Sequence, residues 1–144
     1  MSGQPLPVRR DRRRVALIAS EPAGAALLSG QAWQPHKIQG WTPDFLPAVL
    51  SRTIADEIVP VDDLLARDTA RRLAAEEGLL VGLSAGATLA AALRVADGAE
   101  AGATILAMLP DTGERYLSTI LFEGISEGSD EEWLAQREAR AEAA

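Results

Sequence analysis

The sequence lacks cysteine altogether and has only one histidine, one tyrosine and one lysine among its 144 residues. The absence of cysteine excludes disulfide bonds, thiolate metal sites and a cysteine nucleophile, and it fits a cytosolic protein. A single histidine with scattered carboxylates provides no ligand cluster, so no metal site is expected. The apolar run that begins at Val15 is broken at Glu21 and Pro22, far short of the ~20 residues that span a bilayer. We therefore expect a cytoplasmic chain without a membrane or targeting segment.

The charge and the apolar content indicate a folded domain that binds small molecules or proteins. The formal net charge of -7 argues against nucleic-acid binding, because phosphate contacts require a basic surface. Apolar residues make up 47% of the chain, enough for the core of one domain. We interpret residues 1–14 as a basic N-terminal arm, residues 15–125 as the folded domain, and residues 126–144 as an acidic C-terminal helix that begins near Ser129.

Apolar runs and amphipathic stretches alternate along the folded domain. The pattern predicts strands over residues 15–20, 56–61, 79–83 and 103–109, and helices over residues 43–50, 62–77 and 85–96. In the helix over 62–77, Leu65, Thr69 and Leu73 are expected on the buried face. Strands that alternate with helices pair in parallel through right-handed crossovers. The sequence therefore predicts a three-layer α/β/α fold with a short, mainly parallel sheet.

The most informative segment is the corner at residues 78–93, GLLVGLSAGATLAAAL, where an apolar strand is expected to break at Ser84 and restart as a helix. Ser84 supports three interpretations. It caps the helix through its hydroxyl oxygen, a contribution of about 1 kcal/mol. Alternatively, it is the nucleophile of a Gly-x-Ser-x-Gly elbow, or it holds a cofactor at the helix N-terminus.

Serine hydrolysis requires a general base, and His36 precedes Ser84 in a proline-bounded loop, whereas the elbow enzymes place their histidine after the serine. The cofactor interpretation fits better. A hydroxyl here donates a hydrogen bond to a pyridine nitrogen and leaves that nitrogen unprotonated, while the flanking glycines let a flat ring approach the backbone. The weak electron sink that results suits β-elimination and β-replacement.

Three blocks of the sequence point to a family: residues 35–40 (PHKIQG), residues 78–87 (GLLVGLSAGA) and residues 109–119 (LPDTGERYLST). Together they resemble cysteine synthase, also called O-acetylserine sulfhydrylase, of the fold-type II pyridoxal-phosphate enzymes. The resemblance runs over residues 15–122 and covers only the C-terminal part of that family. It implies an incomplete C-terminal domain of the tryptophan synthase β-like fold, with pyridoxal 5'-phosphate as the cofactor.

The resemblance also assigns roles to four residues. Ser84 occupies the position at which the family hydrogen-bonds the pyridine nitrogen of its cofactor. Asp111 and Thr112 belong to a turn that lies beside the cofactor ring in the family, so both are expected as further cofactor contacts. Gly40 borders the substrate cleft in relatives, although WTPD follows it here in place of a glycine-rich turn. No catalytic residue is assigned within this chain.

Other parts of the family's reaction centre are not found in the sequence. The family attaches its cofactor to a lysine, whereas the only lysine here, Lys37, lies in the first block, which is a loop in relatives. The loop that receives the substrate carboxylate and the loop that cradles the phosphate are not found either. One hydrogen bond from Ser84 does not replace several charge-assisted bonds of roughly 1.5–3 kcal/mol each. We therefore expect the chain to be inactive by itself, and Arg115 and Tyr116 to be structural.

The leading hypothesis is a C-terminal fragment of a cysteine synthase-like enzyme, which replaces the acetate of O-acetylserine by sulfide in cysteine biosynthesis. Its expected partners are the missing N-terminal half or a full-length homologous subunit, and its exposed apolar face favours self-association. The alternative is a non-catalytic interaction module or remnant that self-associates or that binds serine acetyltransferase, whose C-terminal tail docks at the cleft in relatives. A serine hydrolase that uses Ser84 is the remote alternative.

Overall fold

The computed structural model describes residues 15–51, 53–125 and 128–142, so the basic arm expected over residues 1–14 lies outside the described residues. In the described part, no helix is long and apolar enough to cross a membrane. The regular elements in chain order are β1 (Ile18–Pro22), β2 (Glu57–Val61), α1 (Asp63–Glu77), α2 (Leu83–Asp97) and α3 (Asp130–Glu142), with 3-10 helices at Ala23–Ala25 and Gly113–Tyr116.

Strands β1 and β2 pair in parallel, with a register that runs from Ile18 opposite Glu57 to Pro22 opposite Val61. The predicted α/β class with a short parallel sheet is therefore confirmed. Strand β1 continues through Glu21, where the sequence predicted a stop, because the buried Glu21 carboxylate accepts hydrogen bonds from the Leu28 and Ser29 backbone N–H groups. A charged group in a buried strand is tolerated when it is paired in this way.

The two further strands predicted over residues 79–83 and 103–109 are wrong. Val81 forms only an isolated antiparallel bridge with Thr112, and α2 already begins at Leu83. Residues 103–109 join no ladder among the described residues, and Leu106 is 94% exposed. An apolar extended segment becomes a strand only where a neighbouring backbone offers hydrogen-bond partners, and sequence pattern alone does not supply that neighbour.

The helix predicted over residues 43–50 is also wrong, since the structure has only one turn there, closed by the Leu50 N–H and the Pro47 carbonyl at 3.0 Å. Pro47 would occupy the fifth position of that helix. A proline in a helix interior has no N–H to donate, and its ring collides with the preceding turn, so the helix does not form. The helix expected near Ser129 is confirmed as α3, whose Glu132 N–H bonds to the Ser129 hydroxyl oxygen at 3.2 Å.

Helix α1 confirms the prediction over residues 62–77. Asp62 caps its N-terminus by accepting from the Leu64 N–H at 2.8 Å, and Gly78 ends it in the left-handed conformation at φ 71°. The predicted buried face is only partly right: Thr69 is buried, but Leu65 is 52% exposed. Small residues of α1, above all Ala66, form the buried stripe instead, because α2 lies too close for leucine.

Helices α1 and α2 approach each other at Gly86. A Cβ placed on Gly86 would collide with the Ala66 carbonyl oxygen and would lie 2.8 Å from the Ala70 Cβ and 2.9 Å from the Ala70 backbone nitrogen. Two core clusters extend from this crossing. The first holds Ile38, Val59, Val61, Ala66, Ala87, Ala90 and Ala91, and the second holds Ala70, Val81, Leu83, Ala85 and Leu121.

Arg71 of α1 attaches the segment that follows the second 3-10 helix. Its guanidinium donates to the carbonyl oxygens of Leu121 at 2.7 Å, Ile120 at 3.1 Å and Glu123 at 2.6 Å. Because one guanidinium binds three backbone carbonyls, it fixes both the position and the orientation of this segment. The segment from Gly113 onward is therefore tied to the same helix that packs against α2.

We predict that Gly86→Ala destabilises the protein, although alanine is the better helix former by about 1 kcal/mol. The added methyl group overpacks the α1–α2 crossing, and overpacking of this kind costs about 1–3 kcal/mol. Urea denaturation followed by circular dichroism should show a lower midpoint. The matched control is Gly98→Ala at the end of α2, where φ is -101° and the nearest atom to a new Cβ is 3.9 Å away. A Gly86→Ala midpoint equal to or above that of Gly98→Ala would contradict the tight crossing.

Candidate functional site

Ser84 is the second residue of α2, and only 4% of it is exposed. The N-cap of α2 is Gly82, and no side-chain cap bond is formed there. The interpretation of Ser84 as a simple cap is therefore wrong, because the helix begins two residues earlier than the predicted start at Ala85. A buried hydroxyl that does not cap its helix needs another hydrogen-bond partner.

Asp111 is that partner. The Ser84 hydroxyl donates to Asp111 Oδ1 at 3.2 Å, and the Tyr116 hydroxyl donates to Asp111 Oδ2. The backbone reinforces the pairing, since the Gly82 N–H donates to the Asp111 carbonyl at 3.3 Å and the Gly113 N–H donates to the Leu80 carbonyl at 3.1 Å. The structure thus joins two of the predicted cofactor residues, Ser84 and Asp111, in one hydrogen-bonded group that we call the Ser84 relay: Ser84, Asp111 and Tyr116.

Protein atoms occupy the space beside both glycines that flank Ser84. A Cβ on Gly82 would lie 2.5 Å from Asp111 Oδ1 and 2.5 Å from Tyr116 Cε2, and the equivalent space at Gly86 is filled by α1. The expectation that these glycines let a flat ring approach the backbone stays a prediction. Both positions need glycine because the protein packs against itself there.

Thr112 lies beside the Ser84 relay without joining it. Its backbone forms the bridge with Val81, and its residue is exposed. Hydrogen bonding from the Thr112 side chain holds the pKa of the exposed Glu114 carboxyl below its ordinary value. The Thr112 hydroxyl is thus hydrogen-bonded to Glu114. The expected contact of Thr112 with a cofactor stays a prediction.

The loop of the first block lies on the other core cluster. Gly40 is exposed at φ 80°, next to the buried Ile38. His36 Nε2 lies 3.2 Å from the Thr42 carbonyl oxygen, whereas the Ser84 hydroxyl bonds to Asp111. Ser84 is therefore bonded to Asp111 and not to His36. The expected role of Gly40 in substrate binding stays a prediction.

The expected contact of Ser84 with the pyridine nitrogen of pyridoxal phosphate stays a prediction. A buried hydroxyl in the first turn of a helix is suited to a heteroatom of a planar ring, and it is the group the family resemblance assigns to the pyridine nitrogen. Lys37 does not complete a site around Ser84: it is exposed, and its backbone N–H is bonded to Asp63 Oδ2 at 2.7 Å at the start of α1. The structure thus places the Ser84 hydroxyl in the first turn of α2, and it places Lys37 next to Ile38 of the first core cluster.

Tyr116 is the residue whose contribution the sequence did not indicate. It was expected to be structural, and its hydroxyl holds the carboxylate that accepts from Ser84. The 3-10 helix Gly113–Tyr116 brings Tyr116 back over Asp111, and a Cβ on Gly113 would lie 2.8 Å from Leu80 Cγ. The available signal in the sequence was the spacing of Asp111, Gly113 and Tyr116. This signal could be used only if a tight turn at Gly113 was recognised.

We predict that the pKa of Tyr116 lies above its ordinary value of 10.0, because the hydroxyl donates to Asp111 and is partly desolvated. Since this is the only tyrosine, the ultraviolet absorbance of the whole chain reports its ionisation alone. In the unfolded chain Tyr116 loses its proton at a lower pH than in the folded protein. The stability that this hydroxyl contributes is therefore fully present below pH 10.0 and is lost as the pH rises through the folded pKa. Asp111→Ala should lower the Tyr116 pKa toward 10.0.

Glu114→Ala is the matched control for that titration, because it removes a nearby carboxylate that does not bond to Tyr116. It should leave the Tyr116 pKa raised. An unchanged titration in Asp111→Ala, or an equal change in both variants, would refute the hydrogen bond between Tyr116 and Asp111.

Comparison with known proteins identifies the family. Residues 2–111 match the family model described as pyridoxal-phosphate dependent enzyme. An O-ureido-L-serine synthase from Streptomyces lavendulae is 57% identical over 133 residues, which cover 92% of this chain and 40% of the relative. A cysteine synthase from Staphylococcus aureus is 38% identical over 122 residues, which cover 85% of this chain and 39% of the relative.

A solved structure shows the same relationship. A mutant of O-ureido-L-serine synthase with O-ureido-L-serine bound superposes with a TM-score of 0.80 at 56% identity, covering 86% of this chain and 39% of that chain. The chain thus spans about 40% of the length of the curated relatives it matches. The resemblance read from the three sequence blocks is confirmed: the chain belongs to the pyridoxal-phosphate dependent enzyme family, alongside the cysteine synthases.

Proposed function

We propose that this chain forms the Ser84 side of the cofactor site in an enzyme that replaces the β-substituent of an activated serine. The observation that carries the proposal is a buried hydroxyl, 4% exposed, in the first turn of α2 and within the block shared with cysteine synthases. Burial keeps water from competing for the hydroxyl, which makes the position suitable for a lasting contact with a ring.

Pyridoxal phosphate, when bound, supplies the electron sink that lets a group leave the β-carbon of an amino acid and another take its place. The part of this chain is to position the ring. Ser84 contacts the ring nitrogen, α2 holds Ser84 rigidly through its crossing with α1, and Asp111 fixes the direction of the hydroxyl. A site built on a packed helix keeps such a contact more precisely than a loop does.

The incoming nucleophile is proposed from the relatives. The Streptomyces lavendulae relative is named for O-ureido-L-serine, a serine whose side-chain oxygen carries a ureido group. The Staphylococcus aureus relative is named for cysteine synthesis. For this chain we infer one β-replacement, in which acetate leaves O-acetylserine and either hydroxyurea or sulfide takes its place. This chain is 57% identical to the Streptomyces lavendulae relative and 38% identical to the Staphylococcus aureus relative, which favours hydroxyurea over sulfide as its nucleophile.

We propose further that activity requires the complementary part of a family enzyme. The only lysine, Lys37, is exposed in a loop that packs on the first core cluster, whereas Ser84 adjoins the second. An amine that reaches the cofactor must then come from residues outside this sequence. The isolated chain is expected to lose added pyridoxal phosphate on dialysis.

A chimera tests the proposed function. Residues 15–125 of this chain replace the matching segment of the Streptomyces lavendulae synthase, which contributes the remainder. We expect the chimera to retain pyridoxal phosphate through dialysis, as visible absorbance, and to convert O-acetylserine with hydroxyurea into O-ureido-L-serine, detected by mass spectrometry. Sulfide in place of hydroxyurea tests cysteine formation. A folded chimera that retains no cofactor would contradict the proposal.

Ser84→Ala in the chimera should weaken cofactor retention and turnover by about 10- to 100-fold, the equivalent of one hydrogen bond to a charged or strongly polar group. The matched control is Ser51→Ala, the same change at an exposed serine whose hydroxyl lies 3.3 Å from the Thr53 hydroxyl. Ser51→Ala should retain full binding. Equal losses in the two variants, or a Ser84→Ala loss explained by unfolding, would return Ser84 to a structural role.

A further inference from the structure

The backbone carbonyl of Thr42 accepts hydrogen bonds from two aromatic side chains. Trp33 Nε1 donates to it at 3.1 Å, and His36 Nε2 lies 3.2 Å from it. A carbonyl oxygen only accepts, so His36 Nε2 carries the proton in this bond. The other ring nitrogen, His36 Nδ1, is buried without a hydrogen-bond partner among the described residues. The two rings meet edge to face, with their centroids 6.5 Å apart. We call Trp33, His36 and Thr42 the Thr42 clasp.

The Thr42 clasp holds a strained stretch of backbone. Thr42 has a φ of 27°, and it is the only non-glycine residue with a positive φ in the part of the chain that the structure describes. A β-branched residue is an outlier in this region, and Pro43 restricts the backbone of the residue before it further. Glycine adopts such a conformation without steric cost. Strain of this kind persists only where the surroundings impose it, and it is typical of binding sites.

The loop that contains the Thr42 clasp lies at the carboxyl ends of both parallel strands. Strand β1 leads into the first 3-10 helix, where a Cβ on Gly24 would lie 4.0 Å from the Pro35 carbonyl oxygen. Strand β2 leads into α1, whose Asp63 carboxylate accepts from the Lys37 N–H at 2.7 Å. Parallel α/β sheets bind their ligands beyond the carboxyl ends of the strands. The position of this loop therefore favours contact with a ligand.

The side chain of Thr42 needs a role that offsets the strain. The backbone carbonyl has two lone pairs, and the bonds from Trp33 and His36 occupy both of them. The half-buried side chain adds a hydroxyl, which glycine lacks and which both donates and accepts hydrogen bonds. Hydroxyurea offers a carbonyl oxygen and N–H groups to such a hydroxyl, whereas sulfide has neither oxygen nor nitrogen and bonds only weakly. A hydroxyl fixed at Thr42 thus favours the polar nucleophile.

We propose that Thr42 is a specificity-determining residue for the incoming nucleophile, and that Trp33 and His36 are positioning residues that fix its direction. The nucleophile that it favours is a small polar amide such as hydroxyurea. The proposal rests on the proposed function, because it takes the loop beyond the strand ends to border the site of β-replacement. Two hydrogen bonds to one carbonyl hold the hydroxyl in one place, as selective hydrogen bonding requires.

The first experiment measures the strain in the full chain without a cofactor. Thr42→Gly should raise the midpoint of urea denaturation, followed by circular dichroism, because glycine adopts a positive φ freely. The matched control is Thr53→Gly, at an exposed threonine whose φ is not positive. There glycine only adds freedom to the unfolded chain, so the midpoint should fall. Equal decreases in the two variants would show that Thr42 is unstrained and would overturn the inference.

The second experiment measures selectivity in the chimera. Thr42→Val keeps the branched shape of the side chain and removes the hydroxyl. We expect it to raise the hydroxyurea concentration at half-maximal rate by about 3- to 10-fold, the equivalent of one hydrogen bond. The rate with sulfide should fall by a smaller factor, and cofactor retention should not change. Thr42→Ser, which keeps the hydroxyl, should stay close to the unmodified chimera, and the control Thr53→Val should show none of these changes.

Trp33→Phe tests the positioning role. It keeps an aromatic ring and removes the N–H that donates to the Thr42 carbonyl. We expect it to weaken the use of hydroxyurea more than the use of sulfide, as Thr42→Val does. Once Thr42→Val is present, Trp33→Phe should have little further effect on selectivity, because both changes act through the same hydroxyl. Additive effects of the two changes would refute the positioning role of Trp33.

The outcomes separate the further inference from the proposed function. A chimera that retains no cofactor contradicts the proposed function, and the inference falls with it. A chimera that converts both nucleophiles, with an unchanged hydroxyurea dependence in Thr42→Val, contradicts the inference alone. Equal losses with hydroxyurea and sulfide in Thr42→Val likewise refute a role in specificity. A raised midpoint in Thr42→Gly together with a selective hydroxyurea defect in Thr42→Val supports the inference.

Discussion

The close crossing of α1 and α2 at Gly86 is the contact on which the remaining structure depends. Its geometry leaves no room for a Cβ against the Ala66 carbonyl oxygen, so the separation of the two helices is set by backbone atoms rather than by flexible side chains. One core cluster lies toward β2 and the other toward Leu121. Helix α2 therefore has one rigid position, and so does the hydroxyl in its first turn.

Two different interactions connect this helix pair to residues 111–123. Arg71 of α1 holds the carbonyl oxygens after the second 3-10 helix, and the Gly82 N–H before α2 holds Asp111. The Ser84 relay is thus supported from both helices. Segments almost thirty residues apart in sequence, at Ser84 and Asp111, meet because each is attached to the same helix pair.

The sequence predicts what local physics determines. Helix α1 was correctly placed because Asp62 caps it and Gly78 ends it, and the parallel sheet followed from alternating strands and helices. Residues 103–109 were not correctly predicted, since pairing depends on a neighbouring strand rather than on apolar content. The buried stripe of α1 was misjudged at Leu65 because the spacing of the helices, fixed by Gly86, selects alanine. The link from Ser84 to Tyr116 needed the turn at Gly113, which is a tertiary feature.

These contacts explain why glycine stands on both sides of Ser84 in the Gly-x-Ser-x-Gly pattern. In an elbow enzyme the glycines are expected to expose the serine, but here each glycine receives a different protein group: Asp111 with Tyr116 at Gly82, and α1 at Gly86. Ser84 is consequently held between two independent packing contacts and is buried rather than presented. A serine held in this way is poorly suited to attack a substrate, because attack requires exposure and a base. It is well suited to hold one fixed hydrogen bond, and in this structure its hydroxyl donates that bond to the Asp111 carboxylate.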